Sequence, residues 1–143
     1  MKRRILLFSI LFIAILCTVF MSNNFAKAYF FVMMKGYTVI SFDNKIPNYV
    51  LTETLLNSPP FKSYWKIQPI NPKNYLNKTI NTYKFVVRNH PFDKYFSDKN
   101  GDSKRRTVIF IMVCDNKIVG GYSLPSETYA GVDVYPLDGP LKA

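Results

Sequence analysis

An uncharged apolar run close to the N-terminus constrains the fold of this chain more than any other feature. Residues 5–21 contain no charged side chain, and Lys2, Arg3 and Arg4 stand directly before them. As a helix with 1.5 Å per residue this run extends about 25 Å, close to the roughly 30 Å hydrocarbon core of a bilayer. We therefore expect residues 5–21 to contact membrane lipid, with the N-terminus in the cytoplasm and the rest of the chain outside.

The sequence leaves open whether this segment stays attached to the protein. Ala26 and Ala28 have the spacing of a signal-peptidase site, so cleavage after Ala28 would release a secreted protein that begins at Tyr29. The apolar run is longer than the usual stretch of about 7–15 residues in a signal peptide, which favours a stable single-pass anchor instead. A buried helix of a soluble protein is a third interpretation, but such a helix normally carries a polar stripe. The predicted division is a signal peptide or membrane anchor over residues 1–28 and an extracytoplasmic domain over residues 29–143.

The remaining chain has the composition of one small folded domain. Hydrophobic residues make up 48% of the sequence and aromatic residues 16%, which is enough apolar side chain for one core. The β-branched and aromatic segments predict strands at residues 36–42, 79–88, 107–114, 117–123 and 132–135. Asp115 and Asn116 supply a two-residue hairpin turn, and residues 46–57 predict one short helix. The expected fold is α+β: a four- to five-stranded, mainly antiparallel sheet with one short helix packed on it, preceded by the membrane or signal helix.

The charge of the chain indicates an attraction to anionic surfaces. The formal net charge is +10, and residues 29–143 still carry 15 basic and 9 acidic side chains. Lys104, Arg105 and Arg106 form the densest basic cluster, so they are the candidate residues for binding an anionic wall polymer or lipid. No nucleic-acid-binding motif accompanies the charge, and we expect no specific nucleic-acid partner.

The inventory of reactive side chains argues against catalysis. His90 is the only histidine, and it lies within Asn-His-Pro, which turn geometry explains. Cys114 is the only cysteine after the apolar run and ends a predicted core strand, where an unpaired thiol normally fills space. We expect no enzyme, no cofactor and no metal site. The competing hypothesis of a small extracytoplasmic enzyme requires His90 and Cys114 to share one pocket with an ordering carboxylate.

Three other patterns have a functional and a structural interpretation. Asp93, Asp98 and Asp102 fall within ten residues, but the basic cluster that follows them opposes cation binding, so a solvated loop is expected. The pair Gly120 and Gly121 either admits a ligand or forms a bulge or a twist in the strand, and the structural interpretation is favoured. Five aromatic residues either form a platform for a sugar or peptide or fill the core, which is the favoured alternative: Phe61, Tyr64, Trp65, Tyr75 and Tyr83.

Residues 29–34 continue the apolar character beyond the predicted membrane segment. Phe30, Phe31, Met33 and Met34 would otherwise meet water or lipid, so this stretch is the expected docking site for another membrane protein.

Several short segments resemble a family of short exported domains of unknown function in Gram-positive bacteria. The resemblance covers about residues 36–139. It rests on residues 36–39, 46–47, 75–80, 83–91, which end in Asn-His-Pro, 117–121, which end in Ile-Val-Gly-Gly, and 137–139. It implies a membrane-anchored or secreted α+β domain with no assigned activity, and it transfers no catalytic residue. Members of the family often have an acidic residue after the paired glycines, where this chain has Tyr122 and Ser123.

Overall fold

The computed structural model describes residues 7–13, 15, 18, 22–43, 46–95, 106–125 and 134–139. Residues 7–13 are helical. The elements that follow are, in chain order, α1 (Asn24–Met34), β1 (Thr38–Asp43), β2 (Tyr49–Val50), α2 (Glu53–Asn57), α3 (Phe61–Lys66), a 3-10 helix (Pro72–Tyr75), β3 (Thr79–Arg88), α4 (Pro91–Tyr95), β4 (Thr107–Cys114), β5 (Lys117–Pro125) and β6 (Tyr135–Pro136).

The strands form one antiparallel sheet, which confirms the predicted α+β class. Its order is β1-β3-β4-β5-β6, and β2 pairs with the beginning of β3. Strands β4 and β5 are joined by the predicted two-residue turn, in which Asp115 and Asn116 both have positive φ angles, 47° and 63°. Among the described residues the sheet has six strands instead of four or five, because the two-residue strand β2 was not expected. The predicted edge strand at residues 132–135 corresponds to β6, which the structure describes at Tyr135–Pro136.

Both faces of the sheet are covered, which explains the uninterrupted apolar sequence of β4. Side chains alternate between the faces of a strand, so Ile109, Ile111 and Val113 pack against α1. Met112 and Cys114 point to the opposite face, where they pack against the segment that contains α2, α3 and the 3-10 helix. Almost every side chain of β4 is therefore buried.

Helix α1 is part of the domain core. The Asn23 side chain caps its start by accepting hydrogen bonds from the backbone N–H groups of Phe25 and Ala26, at 2.9 and 3.2 Å. Ala28 and Val32, one helical turn apart, are fully buried against the sheet. The helix thus crosses the predicted boundary between residues 28 and 29, and side chains from both sides of that boundary contribute to one cluster.

The helix predicted over residues 46–57 is wrong in its first half. Tyr49 and Val50 are extended and pair with Ile80 and Thr79 of β3, so only Glu53–Asn57 is helical. Thr52 caps that helix by accepting a hydrogen bond from the Leu55 backbone at 3.2 Å. The prediction treated this segment as an isolated amphipathic stretch, whereas pairing with a neighbouring strand determines its first part.

Much of the predicted membrane segment, including residues 5, 6, 14, 16, 17 and 19–21, lies outside the described residues. None of the helices among the residues that are described has both the length and the apolar character needed to cross a membrane.

Candidate functional site

An apolar groove lies between α1 and the beginning of β5. It encloses about 830 Å³, within the range of small-molecule sites in proteins. Phe30, Phe31 and Met34 of α1 form one wall, and Ile118 and Val119 of β5 belong to the other. Strand β6 pairs only with Tyr122 and Ser123, so no described strand extends the sheet beside the part of β5 that lines the groove.

The outer surface of α1 continues this groove into an exposed apolar patch. Phe30 is 53% exposed, Met33 54% and Met34 72%. These three side chains lie on the side of the helix that the sheet does not cover. Large exposed apolar patches mark contact surfaces in many proteins, so this patch is a candidate for such a surface.

Two lysines line the same groove. Lys27 lies on α1, and its ammonium group donates a hydrogen bond to the backbone carbonyl of Asn116 at 2.8 Å, which attaches the helix to the β4–β5 turn. Lys117 is exposed and is the first residue of β5, directly after that turn. The carboxylate of Asp115 pairs with Lys78 at 2.8 Å, and no acidic side chain is among the described residues that line the groove. The groove is therefore apolar with a cationic edge, which suits a ligand that is apolar with an anionic end.

A second cleft, of about 520 Å³, lies beside α3 on the other face of the sheet. The ring of Tyr122 stacks on Tyr64 at 4.3 Å and on Phe110 at 4.7 Å between centroids, and Tyr49 meets Phe61 edge-on at 4.7 Å. Burial raises the pKa of Tyr49 to about 12 and also raises that of Tyr122, so both remain neutral phenols at physiological pH.

The five aromatic residues proposed as a platform are divided between the two sides of the sheet. Phe61, Tyr64, Trp65 and Tyr75 pack in the cluster around Met112, while Tyr83 packs near α1. Trp65 is almost fully buried, and the ring faces in this cluster stack on one another. These contacts support the core interpretation of these residues.

His90 is buried and fixes the C-terminal segment to the sheet. Its Nε2–H donates to the Leu137 carbonyl at 2.8 Å, and its Nδ1 accepts from the Phe92 backbone N–H at 3.1 Å, which defines one neutral tautomer. Burial lowers its pKa, although the Leu137 carbonyl and the carboxylates of Asp93 and Asp138 oppose this shift. The geometry is that of a structural histidine.

Asp138 binds two groups beside His90. It accepts a hydrogen bond from the Tyr37 hydroxyl at 2.8 Å and pairs with Lys35 at 2.7 Å. Partial burial pushes the pKa of Asp138 upward, but the hydrogen bonds from Lys35 and Tyr37 outweigh it and hold that pKa below its usual value. This network connects the end of α1 to the C-terminal segment.

Cys114 and His90 are not brought together. Cys114 ends β4, whereas His90 lies beside Thr107 at its beginning, because Asp93 binds both the His90 backbone and the Thr107 hydroxyl. Seven residues of strand separate these ends by about 23 Å. Burial also raises the pKa of the Cys114 thiol. The pocket that the enzyme hypothesis requires is not formed by these two side chains.

The charged candidates from the sequence lie mostly outside the described residues. Lys104 and Arg105 are among those not described, as are Asp98 and Asp102, while Arg106 is exposed. The carboxylate of Asp93 accepts from the Thr107 hydroxyl at 3.0 Å. Within the described ranges, no cluster of three or more histidine, cysteine or acidic side chains is arranged to hold a metal ion.

The predicted bulge lies directly before the paired glycines, and a residue that sequence analysis missed packs beside it. Met112 pairs with Gly120 and Val113 with Ile118, so Val119 is the extra residue of β5. The Oε1 of Gln68 accepts the Gly121 backbone N–H at 2.9 Å. A Cβ on Gly120 would collide with the Gln68 side chain, and the φ of 153° at this position favours glycine. The single available signal was the glycine pair itself.

Sequence analysis also missed the groove. It identified Phe30, Phe31 and Met34, but Lys27 was counted with the membrane segment and Lys117 with a hairpin. These two lysines are ninety positions apart in the chain, and only the packing of α1 on the sheet brings them to one groove.

The fold and groove thus define a small α+β domain with an antiparallel sheet covered on both faces. No protein family, curated protein or solved structure matches the chain. The resemblance to exported Gram-positive domains therefore stays a prediction.

Proposed function

We propose that this protein is an envelope module held at a membrane by residues 5–21, and that its domain acts outside the cytoplasm by binding. The observation that carries the proposal is the position of α1. This helix begins at Asn24, three residues after the apolar run ends, and its buried Ala28 and Val32 make it part of the core. Two intervening residues reach no more than about 10 Å, so an inserted segment would hold the domain directly at the lipid surface.

The packing of α1 favours retention of the segment over release. Cleavage after Ala28 would divide the helix and remove Ala28, which belongs to the core cluster that contains Phe85. It would also remove Phe25, whose ring packs against Phe85. A secreted domain that begins at Tyr29 is the alternative. It would have to fold without the N-cap at Asn23 and with an opening in its core.

Binding is favoured over catalysis because the surface offers grooves, while the reactive side chains are buried. Both ring nitrogens of His90 already make hydrogen bonds within the domain. Cys114 is buried at the other end of the sheet. The apolar groove with its two lysines is the candidate for this binding surface among the described residues.

The tether is tested with the full chain in a bacterial host. A reporter fused to the C-terminus is assayed on both sides of the membrane, and the N-terminus of the protein is determined in the membrane and medium fractions. We expect an external reporter, a membrane fraction that resists alkaline extraction, and an intact N-terminus. Leu11→Arg should abolish membrane retention, because a charge at the middle of the segment costs about 3 kcal/mol. The matched control Ser9→Leu should leave retention unchanged.

A cytoplasmic reporter, or a soluble product in the medium that begins at Tyr29, would contradict the proposed anchor.

A further inference from the structure

We propose that the groove between α1 and β5, together with the patch of Phe30, Met33 and Met34, docks on anionic phospholipid of the membrane that carries the protein. This inference rests on the proposed membrane tether and specifies what the domain binds. The occupant is a lipid of the bilayer, with its acyl chains against the apolar wall and its headgroup at the lysines.

Chain continuity is the first argument for a lipid occupant. The apolar run ends at Met21, and Lys27, Phe30 and Met34 follow within the next helix. On a helix, residues 27, 30 and 34 are three and four positions apart and therefore share one side. The wall of the groove is thus the part of the domain that follows most closely on the predicted membrane segment.

Exposure gives the second argument. Three of the largest side chains of α1 are more than half exposed, whereas the same helix buries Ala28 and Val32 completely. A helix in the interfacial plane of a membrane places aromatic and methionine side chains against the acyl boundary and keeps lysines at headgroup level. The composition of α1 fits that arrangement.

Charge complementarity gives the third argument. Lys27 and Lys117 line the groove from different elements, and Asp115 of the adjacent turn is paired with Lys78. A lysine near an anionic leaflet contributes attraction equivalent to about a fivefold change in a binding equilibrium. A neutral lipid would make the same apolar contacts but would lack the electrostatic attraction to the lysines.

The test uses the full chain reconstituted in vesicles. Cys17→Ser removes the other thiol of the chain, Cys114 stays buried, and Met34→Cys carries an environment-sensitive fluorophore. Quenching by nitroxide-labelled lipid and by aqueous iodide is measured in vesicles of phosphatidylcholine and of phosphatidylcholine with phosphatidylglycerol. Lys62→Cys, on the exposed surface of α3 at the other face of the sheet, is the matched label position.

We expect the label at position 34 to be quenched by nitroxide lipid, more strongly with phosphatidylglycerol, and the label at position 62 to be quenched by iodide. Lys117→Gln should lower the ratio of docked to undocked label about fivefold in the anionic vesicles. The control Lys66→Gln, an exposed lysine of α3, should leave the ratio unchanged. Raising the salt concentration should weaken the effect of Lys117.

Three outcomes would overturn the proposal. Iodide quenching of the label at position 34 would show that this surface faces water. Protection from both quenchers would show that protein covers it, as a second copy of the chain or another membrane protein would. Equal docking on both vesicle types would remove the role of the lysines. Vesicle flotation after alkaline extraction separates these results from failure of the tether, because extraction removes a protein that is only docked on the surface and leaves one with an inserted segment.

Discussion

His90 follows β3 and links two segments, because its Nε2 bonds to Leu137 of the C-terminal segment and its Nδ1 to Phe92 of α4. The imidazole donates to Leu137, accepts from Phe92 and lies 4.9 Å from the Tyr37 ring. Protonation of Nδ1 would remove the acceptor that the Phe92 N–H requires, and it would place a charge in a buried position. Protonation of His90 therefore opposes its native contact with the start of α4, while the Nε2–H bond to Leu137 is kept.

We predict that the protein loses stability as the pH falls from about 7 to about 5. Burial lowers the pKa of His90 from its ordinary value of 6.5, so the unfolded chain binds this proton first. The stability is fully present above that ordinary value and declines as the pH falls toward the folded-state pKa. Chemical denaturation across this range measures the effect.

The control is His90→Gln, which removes the only histidine. This variant should be less stable at neutral pH, but its free energy of unfolding should change less between pH 7 and 5. An equal decline in both proteins would show that other groups are responsible.

Helix α1 is the element whose role depends most on context. Its sequence carries no broad polar stripe, because one side packs on the sheet and the other presents Phe30, Met33 and Met34. The Asn23 cap and Gly36, with a φ of 82°, define its two ends. It is both the covering layer of the sheet and a wall of the candidate groove.

We predict that a chain beginning at Tyr29 is less stable than one beginning at Ser22, by about 3 kcal/mol or more. The shorter chain lacks the Asn23 cap, which is worth about 1 kcal/mol, and the core contacts of Phe25 and Ala28. Denaturant unfolding of both purified chains gives the difference. Equal stability would mean that the first turn of α1 is dispensable, and it would reopen the secreted alternative.

Elements with a strong local pattern were predictable from the sequence. Residues 79–88 and 107–114 form strands as expected, since alternation and β-branched content favour that structure, and the Asp115-Asn116 turn fixes the hairpin. Tyr49 and Val50 were misassigned because their pairing with β3 is a long-range contact. The division at residue 28 treated the start of α1 as part of the signal or anchor segment, because nothing local distinguishes an apolar core helix from a continued apolar run.

The candidate site was less predictable than the fold, because its residues also meet only through long-range contacts. His90, Cys114 and the glycine pair could be interpreted from their own neighbours, and the structure gives each a packing role. The groove depends on Lys27, Ile70 and Lys117, which are separated in sequence and meet only in the packed domain. Gln68 likewise acquires its role only in the folded domain, where it accepts a hydrogen bond from Gly121 beside the bulge.

At the scale of the whole molecule, β4 connects the two clusters of the core. Its alternate side chains belong to the layer under α1 and to the layer under α3, so loss of either layer exposes part of the strand. Cys114 lies at the end of this strand and is 1% exposed. Its accessibility therefore reports on opening of the central part of the domain.

We predict that the thiol of Cys114 reacts with a water-soluble thiol reagent only when the domain opens. In a Cys17→Ser background, its labelling should be at least about a thousandfold slower than that of Lys62→Cys, because burial hides it and raises its pKa. Low concentrations of denaturant should accelerate the reaction in parallel with global unfolding. Labelling as fast as at position 62 would contradict the continuous core described for β4.

The closeness of α1 to the predicted anchor also sets how far this protein can reach. A domain of this size has a radius of gyration of about 13 Å, so on the proposed tether everything it touches lies within roughly 45 Å of the lipid. The domain would then act only close to the membrane surface. A target farther out in the envelope would have to move toward the membrane to be bound.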